Sequence, residues 1–179
     1  MIFHDQYCLI DDEQEKKCFF QCNKDKETIV VWKLYRVCGF ALTPCSLWTN
    51  LGFLETDKTD YFVYPGQNTV KQEYFLVSPP YKKCTQRKGV SVCLTKEAAI
   101  KWRFDWVYGP ATAEPELIKI IRCTCKVKDL IAIGKRCYRK DHAAFTQIDI
   151  SDDVFNKAIK EKHYYFSAES IQAAIKCLY

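Results

Sequence analysis

The sequence has few of the features that identify nucleotide-binding, membrane or secreted proteins. Its six glycines are widely scattered and form no G-x-G-x-x-G or Walker pattern, so we expect no loop that binds nucleotide phosphates. No window approaches the roughly 18 uninterrupted apolar residues that indicate a membrane span. The first ten residues lack a basic segment followed by a continuous apolar run. We therefore expect no secretory signal, and a cytoplasmic or virion location.

What is present is the composition of a globular domain. The chain has 179 residues, of which 48% are hydrophobic and 15% aromatic, and this length predicts a single domain with a substantial core. Lys and Arg total 27 against 22 Asp and Glu, and a net charge of +5 specifies no partner. The 11 cysteines are an odd number, so at least one is unpaired, and in a reducing compartment we expect most to be thiols.

The strand signals lie between residues 28 and 150. Runs rich in β-branched, aromatic and other apolar residues predict strands at 28–37, 73–77, 90–94, 117–127 and 144–150. Residues 129–133 are expected to continue the fourth of these strands after a bulge. The charged stretch 11–17 suggests an exposed turn, so residues 1–27 are predicted to form a hairpin-like segment.

Helix signals occur at mid-chain and in the last thirty residues. Thr95 is a predicted N-cap, and Trp102 and Trp106 lie on one face of the helix that would follow. Ser151 and Ser167 are predicted to begin two further helices. The sequence thus predicts one α+β domain over 1–179 with a mainly antiparallel sheet: a β-rich core at 28–150, one mid-chain helix, and two C-terminal helices within 151–179.

Cysteine and histidine could support metal binding or nucleophilic catalysis. Cys18 and Cys22 are a close pair of possible zinc ligands, with His4 and Cys8 nearby in sequence, but no paired knuckle completes a four-ligand site. A Cys–His catalytic pair would use His142 or His163, although no local motif flanks any cysteine. Buried thiols that pack as small hydrophobic side chains explain these residues more simply.

Clusters of basic residues raise the possibility of weak nucleic-acid binding. Binding of phosphates requires several cations on one face, with aromatic side chains such as Tyr81 and Tyr138 available to stack on bases. The candidate residues are Lys82, Lys83, Arg87, Lys88, Arg136, Arg139 and Lys140. Acidic residues are almost as numerous as basic ones, so a solvated charged surface is the competing interpretation.

The order of segments in the middle of the chain resembles that of small uncharacterised domains from phages and large DNA viruses. The resemblance depends on residues 31–36, 88–102 and 129–134, and it covers roughly residues 29–150. Those domains imply no known chemistry. The resemblance implies a viral origin and a role in the virion or in binding a host protein.

A second resemblance is to ADP-ribosyltransferases of the Arg–Ser–Glu type. Arg36 on an early strand, Ser91 before a helix, and Gln147 with Asp149 on a late strand follow the order of that family's motifs. The resemblance implies that Arg36 would bind the pyrophosphate of NAD and that Asp149 would stabilise charge on the ribose as nicotinamide departs. The chain departs from the family in having Cys93 in place of a serine and an aspartate in place of the glutamate.

Because no complete catalytic constellation emerges, the sequence favours a non-catalytic interaction or structural module that needs no cofactor. We expect its partner to be another protein or a second copy of the chain, bound through the aromatic segments 61–64, 73–75 and 163–166. The first alternative is an NAD-dependent ADP-ribosyltransferase or NAD glycohydrolase, and the second is a weak nucleic-acid binder.

Overall fold

The computed structural model describes residues 9–44, 63, 69–70, 73–78, 85–108, 118–136 and 139–160. In these ranges the chain forms three α-helices and ten β-strands. The helices are α1 (Glu13–Cys22), α2 (Lys96–Tyr108) and α3 (Asp152–Lys160). The strands are β1 (Leu9–Asp11), β2 (Thr28–Cys38), β3 (Ala41–Pro44), β4 (Thr69–Val70), β5 (Glu73–Ser78), β6 (Thr85–Cys93), β7 (Ile118–Lys126), β8 (Leu130–Arg136), β9 (Arg139–Phe145) and β10 (Ile148–Asp149).

The ten strands form one mainly antiparallel sheet, as predicted for an α+β protein. Their order is β4-β10-β7-β2-β6-β5-β1-β8-β9, with β3 beside β2. Strand β6 also pairs with β9, so β6, β5, β1, β8 and β9 form a closed ring of paired strands. Among the strands that the structure describes, only β1 and β5 pair in parallel.

The longest pairing joins β2 to β7 over nine residue pairs, from Thr28 opposite Lys126 to Arg36 opposite Ile118. Side chains alternate between the two faces of the sheet, so these strands contribute to an apolar core on each face. The larger core includes Val31 and Tyr35 of β2 and Phe155 of α3. The smaller core lies under α2 and contains Leu34, Cys93, Ala98, Ala99, Trp102 and Ile118.

The mid-chain helix and the first C-terminal helix begin where the sequence predicts. The Oγ1 atom of Thr95 accepts a hydrogen bond from Ala98 N at 3.2 Å, as an N-cap does at the start of α2. The Oγ atom of Ser151 accepts one from Val154 N at 3.4 Å at the start of α3. The helix predicted after Ser167 lies outside the described residues. None of the described helices is long and apolar enough to cross a membrane.

The N-terminal segment is not a hairpin where it is described, which corrects the prediction for residues 1–27. Residues 13–22 form α1, because Asp12 acts as an N-cap that accepts hydrogen bonds from Gln14 N and Glu15 N. Phe19 anchors the helix in the larger core with 8% of its surface exposed. The charged stretch that suggested a turn contains the end of β1, the N-cap Asp12 and the first half of this helix, where acidic residues suit the helix dipole.

The chain turns back after β7, whereas the sequence analysis expected residues 129–133 to continue that strand. A 3₁₀ turn over Val127–Asp129 separates β7 from β8, and β8 then pairs with β1 and β9. The backbone hydrogen bond from Val127 N to Glu27 O, at 2.9 Å, fixes the start of this turn. The apolar run therefore forms two strands, β7 and β8. Pairing of β8 with β1 and β9, which a local pattern does not reveal, determines where β7 ends.

Gly134 marks the closest approach between two strands of the ring. Its φ is +153°, and a Cβ atom at this position would lie 2.0 Å from the carbonyl oxygen of Ile10 on β1. The register of β8 against β9 also shifts between Gly134 and Arg136, as it does at a β-bulge. Glycine is therefore required for β1 to fit between β5 and β8.

We expect Gly134→Ala to lower the free energy of unfolding by at least about 3 kcal/mol, because the new methyl group would displace the backbone of β1. The matched control is Gly39→Ala, since Gly39 has a φ of +60° and no atom within 4 Å of the added Cβ. The control is expected to cost only about 1–2 kcal/mol, from left-handed backbone strain. Urea unfolding of both variants measures the difference, and equal losses would contradict this role for Gly134.

Candidate functional site

The described side chains that are best suited to catalysis or binding lie together where β6, β8, β9 and α2 meet. We call Ser91, Cys93, Trp102, Arg136 and His142 the buried polar cluster. Each of the five side chains has at most 5% of its surface exposed. Pairing of β6 with β9 places Cys93 opposite His142, and α2 covers this part of the sheet with Trp102.

Contacts within the buried polar cluster link all five residues. The Nη1 atom of Arg136 donates a hydrogen bond to Ser91 Oγ at 2.5 Å, and its guanidinium carbon lies 5.0 Å from the centre of a Trp102 ring. The His142 ring meets the same indole edge-on at 5.2 Å between centroids. The Sγ atom of Cys93 lies 3.9 Å from His142 Nδ1. Arg136 and His142 thus both pack on Trp102, which orients them.

A second cation, Lys33 of β2, approaches the cluster through the backbone of β6. Its Nζ atom donates a hydrogen bond to the carbonyl oxygen of Ser91 at 2.7 Å, and only 1% of the residue is exposed. Ser91 therefore joins two buried cations, Lys33 through its carbonyl group and Arg136 through its hydroxyl group. Lys33 was not among the candidate residues predicted from the sequence, although period-2 alternation with Val31 and Tyr35 assigns it to a buried face.

Burial keeps the Cys93 thiol and the His142 imidazole of the cluster in their uncharged forms. Burial raises the pKa of Cys93 to about 12, although the nearby Arg136 and Lys33 oppose this shift. Burial, together with the charges of Arg136 and Arg139, lowers the pKa of His142 to about 3. At neutral pH the thiol is protonated and the imidazole is neutral, so the pair is not the thiolate and imidazolium that nucleophilic catalysis by cysteine requires.

The strand register separates the two residues most important for the predicted NAD site. Arg36 lies opposite Ile118 of β7, whereas Asp149 lies opposite Thr124 of the same strand. Six residues of strand correspond to about 20 Å. A nicotinamide mononucleotide that touches both residues would need them within about 10 Å, so this placement does not favour the hypothesis.

The other two residues of that hypothesis, Ser91 and Gln147, lie in different surroundings from each other. Ser91 contacts Arg136 in the buried polar cluster, so its hydroxyl is engaged there. Gln147 is half-buried in the short connection between β9 and β10, two residues before Asp149. The structure therefore brings Ser91 together with an arginine that the sequence analysis had assigned to nucleic-acid binding.

The basic residues proposed for nucleic-acid binding do not share one environment. Arg136 is buried with 3% of its surface exposed, and its guanidinium packs on Trp102 of α2. Arg87 and Lys88 are exposed before the stretch of β6 that pairs with β9, whereas Arg139 and Lys140 lie beyond its opposite end. Lys82 and Lys83 lie outside the described residues.

The proposed zinc ligands Cys18 and Cys22 are free, exposed thiols on α1. No group of three or more His, Cys, Asp or Glu residues that could hold a metal ion occurs in the described part of the chain. His4 and Cys8 lie outside that part. Two further thiols, Cys123 and Cys125, are buried in the larger core, where burial raises the pKa of Cys123 to about 12.

The aromatic segments proposed for partner binding are only partly described. Val63 is buried at 2% exposure and bridges to Leu42, so this position of the segment 61–64 belongs to the core. Residues 73–75 form part of β5, whose backbone alone is described. The segment 163–166 and the second candidate catalytic histidine, His163, lie outside the described residues.

Comparison with protein-family models, curated proteins and solved structures gave no significant match in any of the three searches.

We expect His142→Gln to reduce the loss of stability on acidification. Below pH 6.5 the unfolded chain takes up a proton at His142 that the folded chain, with a pKa of about 3 at this position, does not. Stability from the neutral imidazole is therefore complete above pH 6.5 and decreases as pH falls toward 3, by up to about 1.4 kcal/mol per pH unit.

Urea unfolding of the wild type and His142→Gln at pH 7, 6, 5 and 4 tests this expectation. Other titrating groups are common to both proteins, so they cancel when the two pH profiles are compared. The free energy of unfolding of His142→Gln minus that of the wild type should increase as pH falls. Parallel pH profiles would show that His142 is not held neutral by the fold.

Proposed function

We propose that the protein is a non-catalytic interaction or structural module. The observation that carries this proposal is the burial of Ser91, Cys93, Arg136 and His142 at 3% exposure or less. These residues are the strongest candidates for chemistry among the described parts of the chain. Substrate could not reach them without displacement of α2 or of the paired strands that enclose them.

The protonation states of the cluster support the same proposal. A cysteine nucleophile requires a thiolate, and a general base requires a pKa near the working pH. The pKa of about 12 for Cys93 and of about 3 for His142 lie far from both conditions. The cluster is better suited to fix the packing of α2 on the sheet, because Trp102 of α2 contacts both Arg136 and His142.

The proposed partner is another protein or a second copy of the chain. The resemblance of residues 29–150 to viral domains is the basis for proposing a virion component or a binder of a host protein. Aromatic side chains are enriched in protein interfaces, and the segments 61–64, 73–75 and 163–166 remain the proposed contact regions. NAD-dependent ADP-ribosyl transfer stays an alternative, which an enzymatic assay tests directly.

We expect no release of nicotinamide from NAD above the buffer rate when the reduced, purified protein is assayed at micromolar concentration. The physical reason is that Arg36 and Asp149 occupy register positions about 20 Å apart. The informative variants are Arg36→Ala and Asp149→Ala, with Arg87→Ala as the matched control because Arg87 is exposed on the same sheet. Turnover that both site variants abolish and the control retains would overturn the non-catalytic proposal.

A further inference from the structure

Two exposed thiols are neighbours on α1, a helix that contributes no residue to the buried polar cluster. Cys18 and Cys22 are both free and exposed, and both lie within Glu13–Cys22. Residues four positions apart on an α-helix share one face, with their Cβ atoms about 5–6 Å apart. The helix therefore presents the two sulfur atoms to solvent as a pair that a single ligand can reach.

The spacing of the two thiols suits a bridging metal ion better than a disulfide. A disulfide needs Cβ atoms about 3.5–4.5 Å apart, which is closer than neighbouring turns of an intact helix allow. Two sulfurs on opposite sides of a metal ion lie about 4.6 Å apart when each bond has the length of about 2.3 Å found for zinc thiolates. Rotation of the side chains can bring the sulfurs to that separation while the backbone stays helical.

The surroundings of the pair favour a cation held by thiolates. Gln14 lies one turn before Cys18, and its Nε2 atom donates a hydrogen bond to Cys18 Sγ at 3.9 Å, which supports negative charge on this sulfur. The last turn of α1, all of which the structure describes, contains no basic residue. The C-terminal end of a helix carries partial negative charge that a cation stabilises. A metal ion bound beside Cys22, the last residue of α1, would supply that cation.

We propose that Cys18 and Cys22 together bind one soft monovalent metal ion, of which Cu(I) is the biological example. Thiolates select Cu(I) over harder cations, and two sulfurs on opposite sides of the ion complete its coordination. Zinc fits less well, because its structural sites take four ligands and the described part of the chain holds no group of three or more ligating residues. Each thiol releases its proton to solvent as its sulfur bonds to the metal, and no oxidation state changes. This site does not depend on the proposed function.

Alkylation of the reduced protein by iodoacetamide without oxygen, with Cu(I) buffered by bicinchoninate, tests the proposal. Mass spectrometry measures each cysteine separately, so the other thiols of the chain do not obscure the result. We expect Cu(I) to slow alkylation of Cys18 and Cys22 at least about tenfold, because a metal-bound sulfur is a poor nucleophile, and excess bicinchoninate to restore the original rate. Unchanged alkylation of either thiol up to saturation of the chelator with Cu(I) would overturn the proposal. Protection that excess chelator does not reverse would show oxidation and would overturn it as well.

Single substitutions distinguish one shared ion from separate binding at each thiol. Cys18→Ser should return Cys22 to its metal-free rate of alkylation, and Cys22→Ser should do the same for Cys18, because one sulfur does not complete the site. The matched control is Gln21→Ser, at an exposed position of the same helix, which should leave both cysteines protected as in the wild type. Full protection of Cys22 by Cu(I) in Cys18→Ser would show that the thiols bind metal independently and would contradict the proposal.

Discussion

The antiparallel pairing of β6 with β9 is the interaction on which the arrangement of this protein's reactive groups depends. It closes the ring of five strands, and in doing so it places Cys93 opposite His142 and brings Ser91 within reach of Arg136. The ring closes only because Gly134 allows β1 to approach β8 without a Cβ in the way. The close approach of Gly134 to the backbone of Ile10 thus helps to determine the geometry of the buried polar cluster.

The same closure determines what the cluster can do. Removal from water keeps the Cys93 thiol protonated and the His142 imidazole neutral, so residues that form a catalytic pair in other proteins here serve packing. The guanidinium of Arg136 is not neutralised in this way, because an arginine does not lose its proton in proteins. Arg136 instead donates a hydrogen bond to Ser91 and stacks on Trp102.

Sequence patterns predicted individual strands and helices, but they did not predict features that depend on pairing between segments distant in sequence. The strand at 28–37 and the helix that begins after Thr95 were predictable because β-branched runs and N-caps act within a few residues. The order Arg36, Ser91, Asp149 could suggest an active site, but chain order does not specify register, and the register separates Arg36 from Asp149. Arg136 lies in a basic stretch of sequence, yet it is buried against Trp102. The pairing of β6 with β9 leaves no local signal in the sequence either.

The buried polar cluster is closed in the native state, and labelling of the native protein's thiols, read out by mass spectrometry, is the direct test of this closure. We predict that iodoacetamide modifies Cys18 and Cys22 readily, because both are exposed on α1. Cys93, which is fully buried, should remain unmodified until urea unfolds the chain. Modification of Cys93 under native conditions at a rate similar to that of Cys18 would show instead that the cluster is open to reagents and therefore to substrates.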